Sequence, residues 1–148
     1  MSDSFAQILI HLVFHVKVGG PTIREDDLPR VFEYIGGEVR ALNGIPFAVG
    51  GRPDHIHCLA TLPKTLPLSD FVMNIKKGSS KWIKNIDARY RLFSWQDGYG
   101  AFSVSYANRD RVMNYIANQA THHHKKTFKE EYLEFLNSNN ISYDERYV

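Results

Sequence analysis

The sequence predicts an α+β fold, a ferredoxin-like (RRM-like) sandwich in which an antiparallel sheet is covered by helices. The first observation is the order of hydrophobic patterns, which begins strand, helix, strand, strand, helix, strand, helix. The second is size: 148 residues with 43% hydrophobic content suit one globular domain with a proper core. No internal repeat or low-complexity tract interrupts the pattern, so we predict a single domain over residues 1–148.

The first strand is predicted within residues 5–17, where side chains alternate between two faces. His11 and His15 fall on the less apolar face, from which they can approach a site, although such positions are more often packed or solvated. An amphipathic helix follows, with apolar positions recurring from Leu28, and Asn43-Gly44 ends it.

A short second strand over residues 45–49 is predicted to lead, through a turn at residues 50–54, into a third strand over residues 55–62. The loop after this strand ends at Ser69, a residue type that caps helices, and a second amphipathic helix follows.

The last third of the chain contains a further strand and two further helices. A glycine-rich and aromatic segment over residues 93–106 is predicted to feed the strand, and Asn108 can cap the next helix. Thr127-Phe128-Lys129-Glu130 has the form of a capping box and predicts the start of the final helix. Residues 137–148 are predicted to form a loosely held tail or an interaction arm.

Two histidines stand at the start of the third predicted strand. Because successive strand residues point to opposite faces, His55 and His57 share one face, while Ile56 and Cys58 share the other. Two imidazoles side by side on a rigid element form half of a metal site, and the Pro53-Asp54 turn would open that site to solvent. The alternative is a strand whose polar face carries two histidines without a ligand role.

The helix that begins near Asn108 carries two further side chains suited to catalysis or metal binding. Tyr115 and Gln119 are four residues apart, so they share one stripe of the helix. A tyrosine can act as a nucleophile, and a glutamine carbonyl oxygen can be a third metal ligand. The alternative is that Tyr115 packs under the sheet and Gln119 caps a backbone group.

The positive charge of the chain is concentrated in one stretch. The net charge of +2 is too small by itself to indicate a nucleic-acid partner. Residues 76–91, however, hold six cations against the single anion Asp87, interleaved with Trp82 and Tyr90. Such a pattern favours phosphate binding over a solvated helix face, and the cations are Lys76, Lys77, Lys81, Lys84, Arg89 and Arg91.

The single cysteine, Cys58, argues against a disulfide framework and for a reducing compartment. The chain shows no secretory signal pattern and no apolar run long enough to cross a membrane, so a cytoplasmic location is predicted. The run His122-His123-His124 is interpreted as a helix end with a tendency to positive charge that can contact DNA, rather than as a second metal site.

Together these motifs resemble those of the single-tyrosine, His-hydrophobe-His transposases of the insertion-sequence-two-hundred (IS200-like) type. The resemblance spans nearly the whole chain, and no key position departs from the pattern. The segments that carry it are Pro53-Asp54-His55-Ile56-His57, residues 95–104, Tyr115-Ile116-Ala117-Asn118-Gln119, His122-His123 and Phe128-Lys129-Glu130-Glu131.

The resemblance implies a small dimeric enzyme that recognises hairpins at the ends of a mobile element and cuts and rejoins single-stranded DNA. It also implies that His55, His57 and Gln119 hold a divalent metal, and that Tyr115 attacks the scissile phosphorus. The tyrosine helix can serve the histidines of the partner subunit in this family, so a homodimer with composite active sites is expected.

The implied chemistry agrees with the residue types. Attack by Tyr115 would give a 5′-phosphotyrosine linkage and a free 3′ hydroxyl without a nucleotide cofactor. Mg²⁺ or Mn²⁺ suits such a site, and two imidazoles favour manganese or another transition metal in vitro.

Two other functions stay open from the sequence. One is a hairpin-binding protein, non-catalytic or domesticated, in which the basic stretch matters and the histidines do not. The other is a small metal phosphoesterase that uses water instead of a protein nucleophile. Enzymes of that class with two His-x-Ser/Thr motifs are disfavoured, because His57 and Leu59 stand two residues after the histidines.

Overall fold

The computed structural model of the protein describes residues 4–121 and 126–148. Within these residues, four strands and four helices make up the regular structure, with short 3-10 turns between them. In chain order these elements are β1 (Leu9–His15), α1 (Leu28–Ala41), β2 (Pro46–Arg52), β3 (His55–Thr61), α2 (Leu68–Ile86), β4 (Gly100–Val104), α3 (Arg109–Ala117) and α4 (Phe128–Ser138).

The four strands form one sheet in the order β2-β3-β1-β4, and every neighbouring pair is antiparallel. Strands β1 and β3 lie at the centre, where Leu12 is paired with Cys58 and Val13 with His57. This topology confirms the predicted ferredoxin-like α+β sandwich.

Helices cover both faces of the sheet. Side chains of one parity on β1 and β3, including Leu12, Phe14 and Ile56, form the main core with α1 and α2. The opposite parity, which includes both histidines of β3, faces α3 and α4. A sheet buried on both faces keeps water away from polar groups on either side, so any histidine between the layers needs a partner.

Several predicted boundaries were wrong. Gly50 and Gly51 belong to β2 rather than to the turn, so the turn into β3 consists of Pro53 and Asp54. The second helix begins at Leu68 and its N-cap is Pro67, so Ser69 does not cap it. Proline has no backbone N–H, but at this position no hydrogen bond within the helix is lost, because the first backbone N–H groups of a helix have no partner within it.

Predictions for the other two helices had mixed outcomes. Asn108 occupies the N-cap position of α3, but its side chain makes no capping hydrogen bond. The predicted start of α4 is confirmed, because Thr127 is its N-cap and the Thr127 side chain accepts a hydrogen bond from the Glu130 backbone N–H. The Glu130 carboxylate accepts from the Thr127 hydroxyl rather than from the Thr127 backbone N–H that a capping box uses. Beyond α4 the tail is partly held: a 3-10 turn forms at Glu145–Tyr147, and Val148 packs on the cluster under α4.

The histidine run His122-His123-His124 lies outside the described residues. Within the described ranges, no helix combines the length and apolar character needed to cross a bilayer.

Candidate active site

The two histidines of β3 stand side by side between the sheet and the helices α3 and α4. Their ring centroids are 5.1 Å apart and the rings are nearly perpendicular. His55 is 3% exposed and His57 is fully buried. The strand alternation that placed them on one face is therefore correct, but they lie under a helical layer rather than in an open turn.

Each histidine is held through its Nδ1 atom. Nδ1 of His55 lies 2.7 Å from Oδ1 of Asp54, and Nδ1 of His57 lies 2.9 Å from Nε2 of His11. Burial, followed by the neighbouring His57, lowers the pKa of His11 to about 3, so His11 is neutral at pH 7. These contacts leave the Nε2 atoms of His55 and His57 turned toward the space below α3 and α4.

Gln119 reaches the same space from the other side. It follows the end of α3, in a turn, instead of continuing the helix as predicted. Its side chain is nonetheless directed inward, because the residue is 1% exposed and its Oε1 lies 3.2 Å from Nε2 of His55. The predicted association of the amide with the histidine pair therefore exists within one chain.

Tyr115, in the last turn of α3, lies against His57 with ring centroids 5.5 Å apart at 88°. Its hydroxyl donates a hydrogen bond to the Glu131 carboxylate. Burial, followed by this hydrogen bond to an anion, raises the pKa of Tyr115 above its ordinary value. The phenol is thus held neutral, and an activating charge is needed before it can act as a nucleophile at pH 7.

Glu131 is a site residue that the sequence reasoning missed. It projects from α4, and its Oε1 lies 3.3 Å from Nε2 of His57. Burial alone would raise the pKa of this carboxyl, but hydrogen bonds from His57 and Tyr115 outweigh it and lower the pKa to about 2. A signal was available: Phe128, Glu131 and Phe135 recur at helical spacing after the capping box, so they share one face of α4.

The donor atoms of this site fit a divalent cation. Ligand atoms of His55, His57 and Glu131 all lie within 4.8 Å of one another. The separations of 3.2 Å between His55 and Gln119 and 3.3 Å between His57 and Glu131 match those of adjacent ligands on an octahedral ion, which are about 3 Å apart when bonds are about 2.1 Å. The mixture of imidazole and oxygen donors suits Mn²⁺, Mg²⁺ or a transition metal.

The six predicted DNA-binding cations are not part of this cluster. They lie on α2 and the turn after it, and α2 packs on the other face of the sheet. Lys76 is half-buried, and its Nζ donates to the Gln96 and Gly98 carbonyl oxygens at 2.7 Å each. An open cavity of about 410 Å³ adjoins it, and Lys77, Trp95 and Tyr99 are among its lining residues.

Two solved structures resemble this chain in fold. A Deinococcus radiodurans R1 protein assigned as a transposase has a crystal structure with a TM-score of 0.61 and 18% identity, covering 80% of this chain and 98% of that one. A REP-associated tyrosine transposase bound to a REP hairpin gives a TM-score of 0.58 and 16% identity, covering 97% of this chain and 93% of that one. No curated protein matches the chain.

At such low identity these two structures establish the fold alone. The family itself is established by sequence, because the family model described as "Transposase IS200 like" matches residues 4–119. These residues include His55, His57, Tyr115 and Gln119. The resemblance inferred from the motifs is thereby confirmed, and the chain belongs to the IS200-like transposase family.

Proposed function

We propose that this transposase cleaves and rejoins single-stranded DNA at hairpin ends, with Tyr115 as nucleophile and a divalent metal as cofactor. The observation that carries the proposal is the convergence of four side chains within one chain. Tyr115 lies against His57, and Gln119 lies against His55, in one space between sheet and helices. Packing alone gives no reason to gather a phenol, an amide and two imidazoles there.

The proposed cleavage step is a transesterification. The Tyr115 hydroxyl oxygen bonds to the scissile phosphorus, the bond to the 3′ oxygen breaks, and the tyrosine proton ends on that leaving oxygen. One phosphoester replaces another, so a later 3′ hydroxyl can reverse the step and join strands. No nucleotide cofactor is required, because the bond energy stays in the phosphotyrosine.

In the proposed site, His55, His57 and Gln119 hold the cation. When bound, Mg²⁺ or Mn²⁺ would supply positive charge that offsets charge developing on the phosphate oxygens. Asp54 and His11 orient the two imidazoles, and the fit of the donor atoms described above supports this role. The burial of the site between sheet and helices keeps water from competing with the DNA hydroxyl.

The proposed substrate is single-stranded DNA with hairpin ends. The family assignment supports a DNA substrate. The similar tyrosine transposase that is bound to a REP hairpin supports the hairpin. We propose further that Lys76, Lys77, Lys81, Lys84, Arg89 and Arg91 contact the phosphate backbone of that DNA. A strand that reaches both these cations and Tyr115 must pass around the sheet, because they lie on opposite faces.

A homodimer with exchanged tyrosine helices and a cytoplasmic location stay predictions. The convergence of all four residues in a single chain favours an arrangement in which each protomer uses its own Tyr115. A dimer would then organise the two DNA ends instead of completing the active site.

One observation favours the alternative, a hairpin-binding protein that does not cut. His57 is fully buried and Phe128 stacks on His55 with ring centroids 4.2 Å apart, so α4 covers the proposed metal site. Hairpin binding with no covalent adduct under any divalent metal would establish that alternative.

The test uses labelled DNA hairpins taken from the sequences that flank the gene. With Mg²⁺ or Mn²⁺ we expect a covalent protein–DNA adduct that survives denaturing electrophoresis. Tyr115→Phe should abolish it, since the ring remains but the nucleophilic oxygen is gone. Tyr106→Phe is the matched control, because Tyr106 is 59% exposed just before α3, and it should leave the adduct unchanged. An adduct that persists in Tyr115→Phe would exclude Tyr115 as the nucleophile.

A further inference from the structure

Glu131 occupies the centre of the site although its helix lies outside the family match. The match ends at residue 119, whereas α4 begins at Phe128. The N-cap at Thr127 fixes the start of α4 and therefore which of its side chains face the sheet. Glu131 faces inward with a side chain only 12% exposed, whereas the adjacent Glu130 is exposed.

The contacts of Glu131 join a proposed metal ligand to the proposed nucleophile. Its Oε1 lies 3.3 Å from Nε2 of His57 and accepts the hydrogen bond from Tyr115. A carboxylate has two oxygens and about four lone-pair positions, so it can bind a cation without releasing the tyrosine. The Glu131 carboxylate can therefore bridge the cation and the Tyr115 hydroxyl, which neither His57 nor Tyr115 can do alone.

Charge supplies a second reason for a cation beside Glu131. A buried carboxylate next to the attacking oxygen would repel the anionic phosphodiester that Tyr115 has to reach. The other three proposed ligands, two imidazoles and an amide, are uncharged and offset none of a divalent charge. Mg²⁺ and Mn²⁺ prefer hard oxygen donors, and a carboxylate is the strongest of these among side chains. A cation held between Glu131 and the phosphate removes the repulsion.

We propose that Glu131 is a fourth protein ligand of the catalytic metal, supplied by the helix that lies beyond the matched family segment. The inference rests on the proposed function for the presence of the metal. It adds a residue and an element to the site. Helix α4 covers the histidines and also contributes Glu131. Among the described residues, this is the only carboxylate whose ligand atom lies close enough to both histidines to share a metal ion with them.

The test measures metal binding directly, so it does not depend on DNA cleavage. Mn²⁺ is titrated into the full-length protein, and free Mn²⁺ is followed by electron paramagnetic resonance with calorimetry in parallel. Glu131→Gln keeps the size of the side chain but removes its charge, and we expect it to weaken Mn²⁺ binding by about tenfold or more. Glu130→Gln is the matched control, because glutamine also suits the capping box, and it should bind Mn²⁺ like the unaltered protein.

Thermal unfolding without metal shows whether each variant is folded. If Glu131→Gln does not fold, Glu131→Asp takes its place, since it keeps the charge on a shorter side chain and should bind Mn²⁺ measurably more weakly. Unchanged Mn²⁺ affinity in a folded Glu131→Gln, or no Mn²⁺ binding by the unaltered protein, would overturn the proposal. Metal binding that depends on Glu131 without any DNA adduct would instead refute the proposed cleavage reaction and leave this inference standing.

Discussion

At the scale of single residues, the two histidines of β3 are supported differently. His55 hydrogen-bonds to the Asp54 carboxylate, which is 55% exposed, whereas His57 hydrogen-bonds to the buried imidazole of His11. When Nε2 of a histidine gives its lone pair to a cation, Nδ1 carries the proton and needs an acceptor. Neutral His11 can accept this hydrogen bond at Nε2, so we expect a strand residue with no direct ligand role to set the tautomer of a metal-bound His57.

We therefore expect His11→Leu to weaken Mn²⁺ binding by about tenfold, because Nδ1 of His57 loses its acceptor. His11→Gln should restore most of the affinity, since the amide oxygen can accept the same hydrogen bond. His15→Leu is the control: it lies on the same strand face, but its ring bonds to the Val16 carbonyl. Calorimetry with Mn²⁺ checks all three, and equal affinities for His11→Leu and His11→Gln would contradict the orienting role.

At the scale of secondary-structure elements, the position of α3 depends on its contact with β2. Gly50 lies directly under the helix, where an added Cβ would stand 2.5 Å from the Ile116 carbonyl oxygen. Backbone cannot yield as a flexible side chain can, so only glycine allows this approach. Tyr115 is the neighbour of Ile116, and the same contact therefore sets how close the proposed nucleophile comes to the histidines.

Gly50→Ala should move α3 outward, lowering the free energy of unfolding by roughly 1–3 kcal/mol and reducing adduct formation. Gly37→Ala is the matched control, because its added Cβ would meet nothing within 4 Å on α1. That change should raise the free energy of unfolding by roughly 0.5–1 kcal/mol, since alanine favours a helix interior. Urea unfolding measures both, and a neutral Gly50→Ala would show that α3 is not held at this contact.

At the scale of the whole molecule, the sheet separates two surfaces for which we propose different roles. The face under α3 and α4 holds the proposed chemistry, while α2 on the other face carries the concentrated positive charge. Because this charge is exposed at Lys77, Lys81 and Lys84, it is available to a phosphate backbone. This division favours an arrangement in which the DNA hairpin binds to the basic surface on α2 and the DNA extends around the sheet to Tyr115.

Lys81→Ala tests the basic surface. If Lys81 neutralises one phosphate, its loss should reduce the slope of log binding constant against log salt by about 0.7–0.9 without changing metal affinity. Lys64→Ala is the control, since Lys64 lies before α2 and its ammonium donates to the Ser4 carbonyl oxygen. Hairpin binding measured by fluorescence anisotropy over a range of salt concentrations provides the slope, and equal slopes would remove Lys81 from the DNA surface.

Much of the fold and half of the site followed from local pattern. Alternation along residues 9–15 and 55–61 placed His55 and His57 on one strand face, because strand periodicity is set by backbone geometry alone. The spacing of Tyr115 and Gln119 brought both toward that face although the helix ends between them. The capping box at Thr127 gave the start of α4, because its hydrogen bonds join residues three apart.

Contacts between distant segments decided the rest. The extension of β2 through Arg52 depends on its pairing with β3, and the local sequence of β2 does not show that pairing. The sequence determined which side chains share a face, because that information lies within a few residues. Only the tertiary structure decided that His11 supports His57 and that Glu131 meets Tyr115, because those contacts join residues 46 and 16 positions apart. The first forms when β1 pairs with β3, and the second when α3 and α4 pack beside each other on the sheet.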